Sequence, residues 1–351
     1  MMGLEVTVTR TKRFAARRTL LLAILVVLIV VIAASIFARE DLYAMFQALS
    51  RANPMLVILA FGVYLFGVAF WAGRWNVTLS RVGHRVGLRN LYVVILGGIF
   101  VNNVTPFTYS GGDPVARAYL LNKTQRISYS SGFATILGEF ILDFPVFLSF
   151  VMIGLLLSTK WTPIWPALVI VMFWVAIIIG WSLLFWHVLR GKMAAARIGG
   201  LLARIMGFFR RPANKKRITR GIKKFYAEAE RIISSRKVAF YVITFSAILW
   251  IFGIARLFVI FKALEYWYTP PLEMLVLATT LPWMAGLIPL LPAGIGTVDV
   301  AMILIFMKFM PPELYPIAAA AWAIERAISF LFGTVVGACA LSYLGVRVWA
   351  K

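Results

Sequence analysis

Apolar residues in this chain come in long runs rather than in the alternations of a soluble domain. A helix crosses a bilayer with about 20 consecutive apolar residues. Runs of that kind cover 20–38, 55–73, 131–157, 164–187, 238–261 and 315–345, which predicts six full spans. Two further apolar stretches, 91–112 and 274–310, are interrupted. The first holds Pro106, Gly111 and Gly112, and the second Pro292, Gly294 and Gly296. Proline removes a helical hydrogen bond and glycine weakens a helix, so neither stretch reads as one clean helix. The first run follows the basic residues Arg10, Lys12, Arg13, Arg17 and Arg18. It is longer than the core of a cleaved signal, so a retained anchor is expected.

Polar positions between the runs set the orientation, because cytoplasmic loops are enriched in Lys and Arg. By that rule the N-terminus is cytoplasmic, 39–54 is outside and 74–89, with Arg74, Arg81, Arg85 and Arg89, is inside. Segment 158–163 is outside, and 188–237, with fifteen Lys and Arg, is inside. The parity of these sides requires each broken stretch to return to the side it left. Both are therefore expected to be re-entrant or broken-helix hairpins, a backbone tolerated at membrane depth only inside protein or beside a wet cavity.

An ungapped offset of 186 residues pairs Pro106 with Pro292, Asp113 with Asp299, Tyr129 with Tyr315 and Glu139 with Glu325. It also pairs Phe66-Gly67 with Phe252-Gly253. With the odd crossing at 164–187 between them, the two units run in opposite senses, an inverted repeat of the type that builds transporter sites at the repeat interface. The organisation expected is a basic arm at 1–19, a membrane half at 20–190 with the first unit at about 55–160, a basic interfacial linker at 191–237 and a second membrane half at 238–351.

Composition agrees with an all-α polytopic membrane protein. Hydrophobic residues make up 62% of 351 and charged residues 14%, yet the net charge is +23. Soluble proteins carry roughly 25% charged residues, so a soluble enzyme and a nucleic-acid-binding domain are both excluded. Cys339 is alone, and His84 and His187 are far apart, so no metal site or cofactor is expected. In 215–233, Ile218, Ile222, Phe225 and Ile232 share a helical face among basic residues, the pattern of a helix lying on an anionic membrane surface.

The scarce charges carry the chemistry. Of thirteen acids, five fall in apolar surroundings: Asp113, Glu139, Asp143, Asp299 and Glu325. A charge at a helix centre costs about 2.5–3.5 kcal/mol on insertion scales, so these acids must pair, protonate or face water. Asp113 and Arg117 are four apart and should meet on one helix. Glu139 and Asp143 share the same spacing and put two carboxylates on one face. Glu325 and Arg326 are adjacent, point about 100° apart and should serve different partners. Arg117 and Arg326 suit a phosphate through their forked donors. The paired Gly-rich turns before Asp113 and Asp299 expose backbone N–H groups that suit an anion.

The stretch Gly111-Gly112-Asp113-Pro114-Val115-Ala116-Arg117-Ala118-Tyr119-Leu120-Leu121 resembles the transmembrane, flippase-like domain of lysylphosphatidylglycerol synthases. Glu139 and Asp143 match the acids of that family's next helix, and Pro292-Ala293-Gly294-Ile295-Gly296-Thr297-Val298-Asp299 matches a later Pro-Gly-Gly-x-Gly-x-x-acid stretch. This sequence departs from the pattern in one extra residue before Arg117, in Ala293 for Gly and in Asp299 where Glu is common. The resemblance implies a stand-alone member without the aminoacyl-transferase domain, one that moves a lipid or lipid-linked headgroup between leaflets. Expected partners are that lipid and an anionic membrane surface, with a homo-oligomer also compatible. Localisation in the cell membrane, with a cytoplasmic N-terminus and no enzymatic activity, completes the expectation. A secondary transporter of a small polar solute and an intramembrane lipid-phosphate transferase stand as alternatives.

Overall fold

In a computed structural model of the chain, the described residues are 39–105, 112–161, 172, 175, 179–183, 215–265, 267–287 and 292–345. The expected spans at 20–38 and, apart from a few residues, 164–187 lie outside them, as do Pro106 and Gly111. Everything described is helix, turn or irregular chain, with no strand among the described residues. One helix, α1 (Arg39–Arg51), belongs to a separate compact unit ending at Arg51.

The second unit begins with α2 (Pro54–Arg81), a 28-residue helix. Asn53 caps it by accepting from the backbone N–H groups of Met55 and Leu56, and Pro54 occupies the first turn, where its missing N–H costs nothing. Then come α3 (Leu88–Val104), α4 (Gly112–Gln125) and the 29-residue α5 (Tyr129–Leu157), capped by Ser128. After the basic helix α6 (Lys215–Ile233), α7 (Arg236–Leu264) starts on a Ser235 cap. It is followed by α8 (Leu272–Ala285) and α9 (Thr297–Phe309). The chain closes with α10 (Tyr315–Arg326), a π-helical turn at Ala327–Phe332 and α11 (Gly333–Tyr343).

Five of these segments are long and apolar enough to cross a membrane: Pro54–Arg81, Tyr129–Leu157, Arg236–Leu264, Pro292–Phe309 and Pro312–Tyr343. Four of them coincide with expected spans. The fifth is the far arm of the second broken stretch, which the sequence placed in a hairpin. The near arms fall short: α3 has 17 residues and α8 has 14, about 26 and 21 Å at 1.5 Å per residue. Each broken stretch is thus two helices with an interruption between them.

One boundary differs in a way that matters. The apolar run ends near residue 73, and Arg74 reads as the first loop residue. In the structure α2 continues for two more turns, and Arg74 is buried within it. The helix extends because α5 and α7 supply partners for the guanidinium.

Packing is closest where side chains are smallest. On α11, a Cβ added to Gly337 would lie 2.5 Å from the carbonyl oxygen of Leu96 on α3. The Gly333/Gly337 spacing brings α11 against α3 in this way. Gly337→Ala must push the two backbones apart. Overpacking of this kind costs about 1–3 kcal/mol, and the thermal midpoint of the detergent-solubilised protein is expected to fall accordingly. Along α2 and α7, the two dipeptides matched in the repeat face each other: the Phe66 and Phe252 rings are 5.6 Å apart. Asn103 of α3 reaches across to the π-helical turn, its Nδ2 lying 3.4 Å from Ser329 O and 3.3 Å from Phe330 O.

Candidate functional site

Two clusters of opposite charges sit inside the second unit. In the first, Arg117 Nε donates to Asp113 Oδ2 at 2.8 Å and Nη1 donates to Glu139 Oε2 at 2.9 Å. The four-residue spacing of Asp113 and Arg117 makes the former contact, and packing of α4 on α5 makes the latter. The Arg117 guanidinium lies over the rings of Trp71 and Trp75, 5.0 and 4.9 Å from their centroids. Arg117 and Glu139 are each only 1% exposed. Arg74 completes the cluster: Nη1 donates to Asp143 Oδ1 and to Ser246 Oγ, both at 2.9 Å, and Nε lies 3.6 Å from Glu139 Oε1. Arg74 thus joins the two carboxylates that the i, i+4 spacing set on one face of α5. Three carboxylates meet two guanidinium groups here, a formal excess of one negative charge.

In the second cluster, Arg256 of α7 grips Glu325 of α10 with both prongs of its fork, Nε to Oε2 at 2.9 Å and Nη2 to Oε1. Arg326 Nε lies 2.9 Å from Asp299 Oδ1 and its Nη2 donates to Ala293 O at 3.2 Å. Asp299 also accepts from Trp322 Nε1 at 2.8 Å and from the N–H of Gly296 at 2.9 Å. Adjacent Glu325 and Arg326 do serve different partners. Asp299 sits in the first turn of α9, where a carboxylate is favoured by the helix dipole. The turn before it needs left-handed backbone: φ is 55° at Ala293, 63° at Gly294 and 87° at Gly296. Glycine adopts that region freely and alanine does not, so Ala293 is held there by its neighbours, among them the bond from Arg326.

A cavity of about 320 Å³ touches both clusters. Arg74, Asp113 and Asp143 line it from the first and Arg256 from the second, with Asn102 and Asn103 between them. Arg117, Glu139, Asp299, Glu325 and Arg326 do not line it and act as ties between helices. Gly112 and Pro292 sit at helix starts beside the clusters. Of the two cavity-lining arginines, Arg256 is noted from the sequence beside the embedded acids but not assigned to the candidate site, and Arg74 reads as a loop residue. Arg256 stands alone in an apolar run, which was the available sign. Arg74 stands at the end of one and gave none. Among the described residues, no three His, Cys, Asp or Glu groups converge as a metal site.

Exposed apolar residues such as Ile251 and Leu331, the long helices and the paired interior charges together define a multi-pass α-helical membrane protein. The chain belongs to the family of the lysylphosphatidylglycerol synthase TM region, whose model matches residues 20–337. It is 32% identical over 87% of its length to a UPF0104 membrane protein of Methanothermobacter thermautotrophicus, covering 90% of that protein. A UPF0104 membrane protein of Methanocaldococcus jannaschii is 26% identical over 88% of this chain and 90% of its own length. Another, from Pyrococcus horikoshii, is 28% identical over 82% and 86%. No solved structure matches the chain.

Proposed function

We propose that this protein moves the headgroup of a phospholipid, or of a polyprenyl-phosphate type lipid, between leaflets of the cell membrane. The observation that carries the reading is a cavity whose wall includes charged groups of both clusters. A headgroup phosphate entering it would compete with Asp143 for Arg74 and with Glu325 for Arg256, since guanidinium binds phosphate and carboxylate by the same fork. Each guanidinium thereby keeps an anionic partner at membrane depth, and the displaced carboxylates must turn to the polar cavity. The phosphate therefore falls to Arg74 and Arg256, while Arg117 and Arg326 hold the walls.

The order long helix, short helix, interruption, short helix, long helix occurs twice, and the facing Phe66 and Phe252 support a twofold relation between the two units. An inverted pair of units is a means of presenting one site to either side in turn. The basic N-terminal arm and α6 then lie on the cytoplasmic side, against the anionic leaflet. The reaction proposed is translocation, with no covalent step. A large apolar chamber next to the cavity favours a lipid over a small polar solute.

Native mass spectrometry of the purified protein tests this. A phosphate-bearing lipid is expected to stay bound to the wild type and to be lost from the double variant Arg74→Gln/Arg256→Gln. Absence of any bound lipid, or equal retention by the double variant, would count against the reading.

A further inference from the structure

The apolar chamber has a volume of about 780 Å³ and lies between α5 and the basic helix α6. Phe133 and Leu137 form one wall and Ile222 and Phe225 the other. The α6 wall is docked rather than draped. Ser131 Oγ donates to the buried Glu228 Oε1 at 3.1 Å, Arg81 Nε donates to Arg231 O at 3.1 Å, and Ile232 is fully buried against Leu142 and Val242. Exposed on α6 are Arg220, Lys223 and Lys224, and Lys224 Nζ donates to Ser128 Oγ at the start of α5 at 3.1 Å. At its inner end the chamber shares Phe140, Asp143 and Trp283 with the polar cavity.

Resting on the lipid-transport reading, we infer that this chamber is the site of a hydrocarbon chain of the transported lipid, whose phosphate headgroup lies beyond Phe140, Asp143 and Trp283 in the polar cavity. Three features converge on one anionic amphiphile. The chamber's walls offer aromatic and aliphatic carbon and almost no hydrogen-bonding group, so they favour hydrocarbon over water. The basic residues of α6 draw an anionic headgroup to the chamber's mouth, from which it passes to the polar cavity. The shared residues put a charged carboxylate and its arginine where chain gives way to headgroup. A wholly polar solute fits only the inner half of this arrangement, and a neutral hydrocarbon only the outer half.

The test uses the full chain in liposomes with an anionic phospholipid carrying a diazirine midway along one chain. After illumination, labelled peptides are expected from 129–144 and 218–225. Leu137→Trp fills the chamber from α5 and is expected to lower that labelling at least ten-fold, with labelling around the exposed Ile251 unchanged. Gly221→Trp fills it from α6, where an added Cβ would lie 3.2 Å from Ser130 Oγ, and is expected to do the same, so that misfolding of one variant does not decide the matter. Labelling confined to other surfaces, or unaffected by both fillings, overturns the inference. Headgroup exchange without chamber labelling defeats this inference alone. Chamber labelling without exchange upholds the chain site and defeats the transport reading.

Discussion

Arg117→Leu is expected to destabilise the protein by about 3–5 kcal/mol, the range for removing one partner of a buried ion pair. Few single contacts in the described residues are so completely enclosed. Arg117 is 1% exposed, with carboxylates on two sides and indole rings beside it. Its loss leaves Asp113 and Glu139 facing each other with only the more distant Arg74 guanidinium, 3.6 Å from Glu139, as counter-charge. Asp113→Asn and Glu139→Gln added to Arg117→Met should recover most of the stability, because removing the whole set of charges removes the desolvation problem with it. Thermal unfolding of the solubilised protein, read for the single and the triple variant, checks both halves. A single variant as stable as wild type would mean that the three groups are solvated rather than paired.

Arg256→Gln is expected to slow headgroup exchange roughly 10- to 100-fold, since a hydrogen bond to a charged group is worth about 1.5–3 kcal/mol and each 1.4 kcal/mol is a factor of ten. This variant also strands Glu325, so a loss of folding must be separated from a loss of function. The double variant Arg256→Gln/Glu325→Gln does that. It strands no charge, so stability returns, while the cavity still lacks its second cation and exchange stays slow. Arg256→Lys keeps the charge and loses the fork, and its exchange rate should fall between the two. Proteoliposome exchange rates and unfolding midpoints, measured on the same preparations, distinguish these outcomes.

Much of this architecture was legible as pattern. The long apolar runs placed four of the helices, and Pro and Gly marked both interruptions, because those residues act through local backbone geometry. The Asp113–Arg117 pair and the divergence of Glu325 from Arg326 followed from helical spacing alone. What escaped was set by tertiary contact. Arg74 looks like a loop residue until Asp143 and Ser246, on two other helices, are seen to meet it. The assignment of roles among the arginines depends on which of them border the cavity, and that depends on how α2 and α7 lie together. The far arm of the second interruption, with the turn leading into it, is long enough to cross a bilayer by itself, a length that the Pro/Gly density of 274–310 concealed. Docking of α6 onto α5 was also hidden: its apolar face, Ile232 included, reads as a membrane-surface face, and only the burial of Ile232 and Glu228 against protein shows what it covers.

The central claim is that a lipid headgroup crosses through the cavity that joins the two clusters. Its most direct test is the rate at which a fluorescent headgroup-labelled anionic lipid in proteoliposomes becomes accessible to a membrane-impermeant quencher. Wild type should expose the inner-leaflet lipid far faster than protein-free liposomes, and Arg74→Gln/Asp143→Asn/Arg256→Gln/Glu325→Gln, which removes both cavity-lining guanidinium groups together with a carboxylate partner of each, should return the rate to the protein-free level. Exchange in that variant at the wild-type rate, or no acceleration by the wild type, would contradict it.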